Sequence, residues 1–257
     1  MKRIAALALL WSCAGLAQGA ASSPERVQKF AQLPDWTGYW DTAWLQSVTN
    51  PAGRNAGVGF EFTAKLVRLL DHPPYNAEWE VKYQAALRNA GAVAENRKLC
   101  DWRDFPLTME APTTFQIAIT PEETLMVFHF GALRHIFTDG RGHPAKDDVW
   151  PTRMGHSIGR WDKDTLIIDT IARTPGPAFV GPSAELSEQA HFIERLRLVD
   201  KDTLENRMTI VDPLRFTKPW ELTIRYRRAM GLDRLIDWDC DGDRHPVVDG
   251  KLIVAPP

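Results

Sequence analysis

Cysteine is scarce, at three residues in 257, too few for a small scaffold stapled by disulfides. Long apolar runs are scarcer still. The clearest, Ile4 to Leu10, is too short for a bilayer-spanning helix, which needs about 20 residues, so no stable membrane insertion is expected. Neither sign of charge dominates, with 31 Lys and Arg against 33 Asp and Glu. That balance gives no reason to expect nucleic acid or an anionic membrane as partner. Metal and nucleotide signatures are missing too. There is no His-x-x-x-His pair, no Cys-x-x-Cys, no Walker loop and no Gly-x-Gly-x-x-Gly, so no cofactor is expected and no metal ligand is assigned.

What the chain does have begins with a targeting pattern. Lys2 and Arg3 precede the apolar run, and Ala17-Gln18-Gly19 offers small residues at a cleavage position. Residues 1–20 therefore read as a secretory signal peptide, which predicts a periplasmic or secreted protein. Leu10-Trp11-Ser12-Cys13 loosely matches a lipoprotein cleavage box, although Trp11 fits it poorly. Removing the signal leaves Cys100 and Cys240. In an oxidising compartment they are expected to form a disulfide closing a long loop, worth about 4–5 kcal/mol on chain-entropy grounds. Two separate buried thiols are the alternative.

Residues 21–257 read as one mainly β domain with a helical insertion at about 60–95. Phe62 to Leu70 and Asn76 to Ala90 have helix-forming composition. After Cys100 the pattern turns to strands. Asp162-Lys163-Asp164-Thr165-Leu166 recurs as Asp200-Lys201-Asp202-Thr203-Leu204, and Pro121-Glu122-Glu123-Thr124-Leu125 is a weaker third copy. Each lies between β-rich runs and reads as a hairpin turn. The spacing predicts strands over Thr114–Thr120, Thr124–Phe137 with a bend near Gly131, His156–Trp161, Thr165–Ala172, His191–Val199, Thr203–Val211, Trp220–Ala229 and Arg234–Cys240. Arg173 to Ala190, rich in Pro, Gly and Ser, reads as a long loop. Eight to ten such strands predict a closed antiparallel barrel, lipocalin- or calycin-like, with a few helices in the N-terminal third.

Gly38-Tyr39-Trp40 is similar to the Gly-x-Trp opening of lipocalin-like barrels. A broader resemblance rests on RHIFTDGRGHP, GHSIGRWDKDTLIIDT, HFIERLRLVDKDTLE and DPLRFTKPW. These blocks resemble those of a large, mostly uncharacterised group of exported bacterial β-rich proteins, over about residues 36–240. The resemblance implies export and a single β-rich domain, and supplies no substrate. The chain departs from that pattern at DWRDFP after Cys100, where a Pro-Gly-rich turn is expected, and at Phe192 after His191, where serine is expected.

The candidate chemistry concentrates in Phe128–Thr170, which holds His129, His135, His143 and His156. Alternation along a strand puts His156, Ile158 and Arg160 on one face, and His191, Ile193, Arg195 and Arg197 on one face. His156 is the first candidate for a proton-transfer base. Asp139, Asp169 or Glu194 could orient it, and Arg134 or Tyr226 could stabilise an oxyanion. Glu194, a carboxylate among apolar neighbours, has a second reading as a buried partner of Arg225 or Arg227. Trp40, His129, His143, Trp161 and His191 are candidates for substrate binding in an aromatic-lined cavity, while Trp40 reads equally well as a core plug and His143 as a turn lock. Gly155-His156-Ser157-Ile158-Gly159 matches a serine-hydrolase elbow in letters only, because no helix follows it. Three functions are compatible with these residues. The first is a cofactor-independent lyase or isomerase acting on a small organic molecule. The others are a non-catalytic carrier of such a molecule and a His-ligated metal-dependent hydrolase. The oligomeric state is not encoded in any of these features.

Overall fold

The computed structural model describes residues 22–42, 48–49, 72–88, 104–110, 114–129, 131–177, 185–235, 247–248 and 251–252. The expected signal segment, Cys13, Cys100, Cys240 and the helix expected over Phe62–Leu70 lie outside these residues, and the strand expected over Arg234–Cys240 falls almost wholly outside them.

Among the described residues nine strands form the closed wall: β1 (Gly38–Asp41), β2 (Thr114–Ile119), β3 (Glu123–Phe128), β4 (Leu133–Phe137), β5 (His156–Asp162), β6 (Thr165–Ile171), β7 (His191–Asp200), β8 (Thr203–Val211) and β9 (Trp220–Arg228), and the short strand Val48–Thr49 adds to the edge of β9. They pair in chain order, and β1 closes the ring against β9, with Trp40 opposite Arg228. The expected closed barrel is present. The three acidic turns join β2–β3, β5–β6 and β7–β8, all at one end.

One neighbouring pair departs from an all-antiparallel ring. A closed ring of alternating directions needs an even number of strands, so nine strands require a parallel pair. That pair is β4–β5, with Ile136 opposite Ser157. The ninth strand arises because Thr124–Phe137 is not one bent strand. The chain reverses at Gly131 (φ +75°), and Val127 faces Leu133 across a tight hairpin. From β4 the chain must then return to the opposite end to begin β5. Residues 138–155, with a 3-10 turn at Lys146–Asp148, make this crossover.

The described helices are α1 (Pro24–Phe30), α2 (Ala77–Arg88) and α3 (Leu107–Glu110). Ser23 caps α1, its hydroxyl accepting the Arg26 N–H. The helical reading of Asn76–Ala90 holds as α2. Its Tyr83 packs with Tyr75, which in turn meets Phe216, so α2 covers the barrel end where β8 gives way to β9. Among the described residues no helix is long and apolar enough to cross a membrane.

Segment 104–110 occupies the interior. Phe105, Leu107, Thr108, Met109 and Glu110 are all buried. Phe105 packs edge-on against Phe192, and the Met109 carbonyl accepts the Tyr226 hydroxyl at 2.9 Å. Asp104, Phe105 and Pro106, the described part of DWRDFP, thus open the segment that plugs the barrel. Trp36 and Trp40 are fully buried, and Trp161 packs on Trp36 with ring centroids 4.8 Å apart. Trp40 is the core plug of its two readings. Among the described residues these rings pack into the core.

Candidate functional site

Strand alternation divides the candidate residues between two sides of the wall. Cross-strand partners share a face. Ser157, Thr170 and Phe192 lie in one row, as do Ile158, Asp169 and Ile193. Ser157, Thr170, Phe192 and Glu194 are buried and point inward. His156, Asp169 and His191 lie one residue out of phase and point outward.

Inside, Arg134 and Glu194 form a fully buried ion pair. Arg134 Nη1 donates to Glu194 Oε1 at 3.2 Å and Nη2 donates to Oε2. The guanidinium also donates to Thr170 Oγ1 at 3.0 Å and Ser157 Oγ at 3.3 Å, and lies 4.0 Å over the Phe105 ring. Asn206 Nδ2 donates to Glu194 Oε1 at 2.7 Å. Burying two charges is tolerable only with this degree of hydrogen bonding. Glu194 is therefore a structural carboxylate whose partner is Arg134, not Arg225 or Arg227. Those two arginines lie on the outer wall, where Arg225 pairs with Glu205. Burial, reinforced by the Glu194 charge, pushes the Tyr226 phenol far above its ordinary value, and its proton is committed to the Met109 carbonyl. Arg134, Glu194 and Tyr226 are thus separated from His156 by the thickness of the sheet, which corrects their assignment to one catalytic constellation. Ser157 shares a hydrogen bond with Thr170 at 2.8 Å in the same interior network, so the letter match to a nucleophile elbow is coincidental.

Outside, four side chains meet. Asp169 Oδ1 lies 2.7 Å from His191 Nε2 and 3.1 Å from His143 Nε2. His143 Nδ1 lies 2.8 Å from His156 Nδ1. His143 comes from the crossover, His156 starts β5, Asp169 sits on β6 and His191 starts β7. The crossover must therefore run along the outer wall. His143 does more than lock a turn: it joins His156 to Asp169. The side chains are partly open, at 17% exposed for His143, 37% for Asp169 and 41% for His191.

The proton positions depend on the tautomers, and one arrangement exposes a basic nitrogen. With Asp169 as a carboxylate, which only accepts, His143 donates from Nε2–H; with that as the one proton on the His143 ring, its Nδ1 accepts Nδ1–H from His156, and the Nε2 of His156 is a free lone pair. Burial lowers the His156 pKa, and the neighbouring His143 and the Arg141 charge lower it further, so its neutral, basic form persists to lower pH.

Gly155 sets the entry to β5. Its φ is +68°, and a Cβ there would come within 2.7 Å of the Ile171 carbonyl. Only glycine lets the chain pass β6 this closely and deliver His156. Phe137 and Arg141 complete the surroundings, with Phe137 5.6 Å from the His156 ring and Arg141 4.1 Å over Phe137. Phe137 escaped the sequence reading, although alternation from Arg134 places it on the outer face. Asp139 is taken by Arg141, which donates to both carboxylate oxygens and holds the Asp139 pKa below the usual range. Asp169 is thus the carboxylate behind His156.

The other candidates lie apart from this cluster. His129 accepts the Thr114 N–H at 3.2 Å, and burial lowers its pKa. His135 pairs with Glu123 on the outer wall. Trp40 and Trp161 are packed as described. Among the described residues no group of three or more His, Cys, Asp or Glu side chains is arranged to hold a metal ion. The reason at the cluster is visible: His143 turns its two nitrogens toward different partners, so the four groups form a chain and not a cage.

No protein-family model matches the chain, and no curated protein matches it.

Proposed function

We propose that the protein is an exported enzyme that transfers a proton on a small organic molecule, in the manner of a lyase or isomerase, with His156 Nε2 as the base. The observation that carries this reading is the Asp169–His143–His156 chain on the open side of the wall, which leaves one imidazole nitrogen unbonded and basic. An imidazole oriented through a carboxylate is suited to accept and return a proton near neutral pH. His191, on the same Asp169 oxygen, supplies a second imidazole that could return the proton. Arg141 is the cation beside the base and replaces Arg134 as the group that would meet a carboxylate or enolate oxygen. A reaction of this kind requires no cofactor.

Two measurements test it. The first follows carbon-bound proton exchange in D2O by NMR for simple 2-oxo acids and hydroxyketones. Exchange by the native protein is expected to fall about 100-fold or more in His156→Ala, the usual scale for a positioned base. Equal exchange in both would remove His156 as base. The second needs no substrate. Nitrogen-15 shifts of labelled imidazoles should show His143 protonated at Nε2 and His156 at Nδ1. A His156 ring protonated at Nε2 would end the assignment.

A further inference from the structure

The outer wall above the imidazole cluster carries arginines that are scattered in sequence and aligned in space. Arg160 on β5 and Arg195 on β7 both flank Ile167 of β6, and Arg195 stands directly opposite Arg207 of β8. In the adjoining row Arg197 and Arg225 flank Glu205, while Arg227 stands opposite Thr203. Adjacent strands lie about 4.8 Å apart, so the six guanidinium groups extend over roughly 19 Å from β5 to β9.

Glu205 sits beneath three of them, accepting from Arg207 at 2.9 Å and Arg225 at 2.8 Å, with Arg197 at 3.4 Å. Burial works to raise the Glu205 pKa, but the surrounding guanidiniums outweigh it and hold the carboxylate ionised. One carboxylate offsets one of three arginines. Arg160 and Arg195 are exposed and make no ion pair with any described residue. Asp162, Asp200 and Asp202 edge the patch at the turns. Like charges placed directly opposite each other on neighbouring strands are destabilising, so the Arg195–Arg207 pair costs the fold something that an anion lying across it would relieve.

We propose that this face binds an acidic polysaccharide, a chain of uronate or sulfate-bearing sugars laid across β5 to β9. Charge complementarity sets the sign of the ligand, and the length of the patch fits a polymer better than a single small anion. Planar guanidinium forks match carboxylate and sulfate oxygens. Single-stranded nucleic acid is the less suitable polyanion, because such proteins stack bases on aromatic side chains. The residues between the arginines are Ile167, Thr203, Glu205 and Thr223, with no aromatic among them. This proposal does not depend on the acid–base reading, since binding needs no turnover.

The test measures binding of polygalacturonate, neutral dextran of matched length and a single-stranded oligonucleotide to the full-length protein at low and high salt. Polygalacturonate should bind at low salt, weaken as salt rises, and bind roughly tenfold or more weakly to Arg195→Ser/Arg207→Ser. Arg195→Ser alone, which keeps the Arg207–Glu205 pair, should melt no lower than the native protein, because it relieves a repulsion. Absence of polygalacturonate binding at low salt, equal binding of dextran, tighter binding of the oligonucleotide, undiminished binding by the double variant, or a lowered melting temperature in Arg195→Ser would each overturn the proposal.

Discussion

Replacing Arg134 by methionine keeps most of the side-chain volume and removes the positive charge from the centre of the barrel. Glu194 then loses its guanidinium partner, Oε1 retains only the Asn206 amide, and Ser157 and Thr170 lose the donor they share. Breaking one side of a buried ion pair costs about 3–5 kcal/mol. With the pair fully buried, about 4 kcal/mol is expected, a large fraction of the roughly 5–15 kcal/mol available to a folded domain. For a chain of this size that corresponds to a fall in Tm of roughly 8–16 °C. Urea unfolding followed by tryptophan fluorescence measures it directly. Arg134→Met/Glu194→Gln provides the decisive comparison, because it leaves no unpaired charge. It should be more stable than Arg134→Met alone despite carrying one substitution more. A single variant within about 1 kcal/mol of the native protein, or a double variant equal to the sum of the two singles, would refute the reasoning that the pair acts as a unit.

Three further outcomes are expected. Modification of His156 by diethyl pyrocarbonate, which requires the neutral ring, should persist to pH values below the ordinary imidazole midpoint of about 6.5. The unfolded chain takes up that proton first as pH falls, so the associated stability is present above about pH 6.5 and is lost as pH falls toward the folded value; an acid limb at or above 6.5 would contradict this. Gly155→Ala forces a left-handed backbone and a carbonyl clash, and should cost about 1–3 kcal/mol while broadening the His156 NMR signals; a neutral substitution would show that the approach to Ile171 is not tight. Tyr226→Phe should lower stability by about 1–3 kcal/mol, because the buried Met109 carbonyl loses its described donor, and should leave proton exchange unchanged. Loss of exchange in that variant would return Tyr226 to the catalytic set.

The wall was legible in sequence because local signals specify hairpins. The three acidic turns and the alternating strands around them required no knowledge of distant residues. Alternation also grouped His156 with Arg160, and His191 with Arg195, correctly. It could not say which group faced inward, since period two is symmetric. That choice is made by packing: Leu166, Ile168, Phe192 and Leu196 fill the core, and Ser157, Thr170 and Glu194 go in with them. The Arg134–Glu194 pair joins residues sixty positions apart and leaves no local trace. The hairpin at Gly131 was hidden because one glycine in an apolar run fits a bend as well as a reversal. The plug was hidden because Phe105 to Glu110 is as ordinary in composition as a covered loop.

The seam between Gly38–Asp41 and Trp220–Arg228 has a consequence for how the chain reaches its final form. The wall cannot become a ring until its last strand meets its first, so every shorter product is an open sheet with two bare edges. A chain ending before residue 220 should self-associate, and the barrel is complete only once Trp220–Arg228 has been delivered.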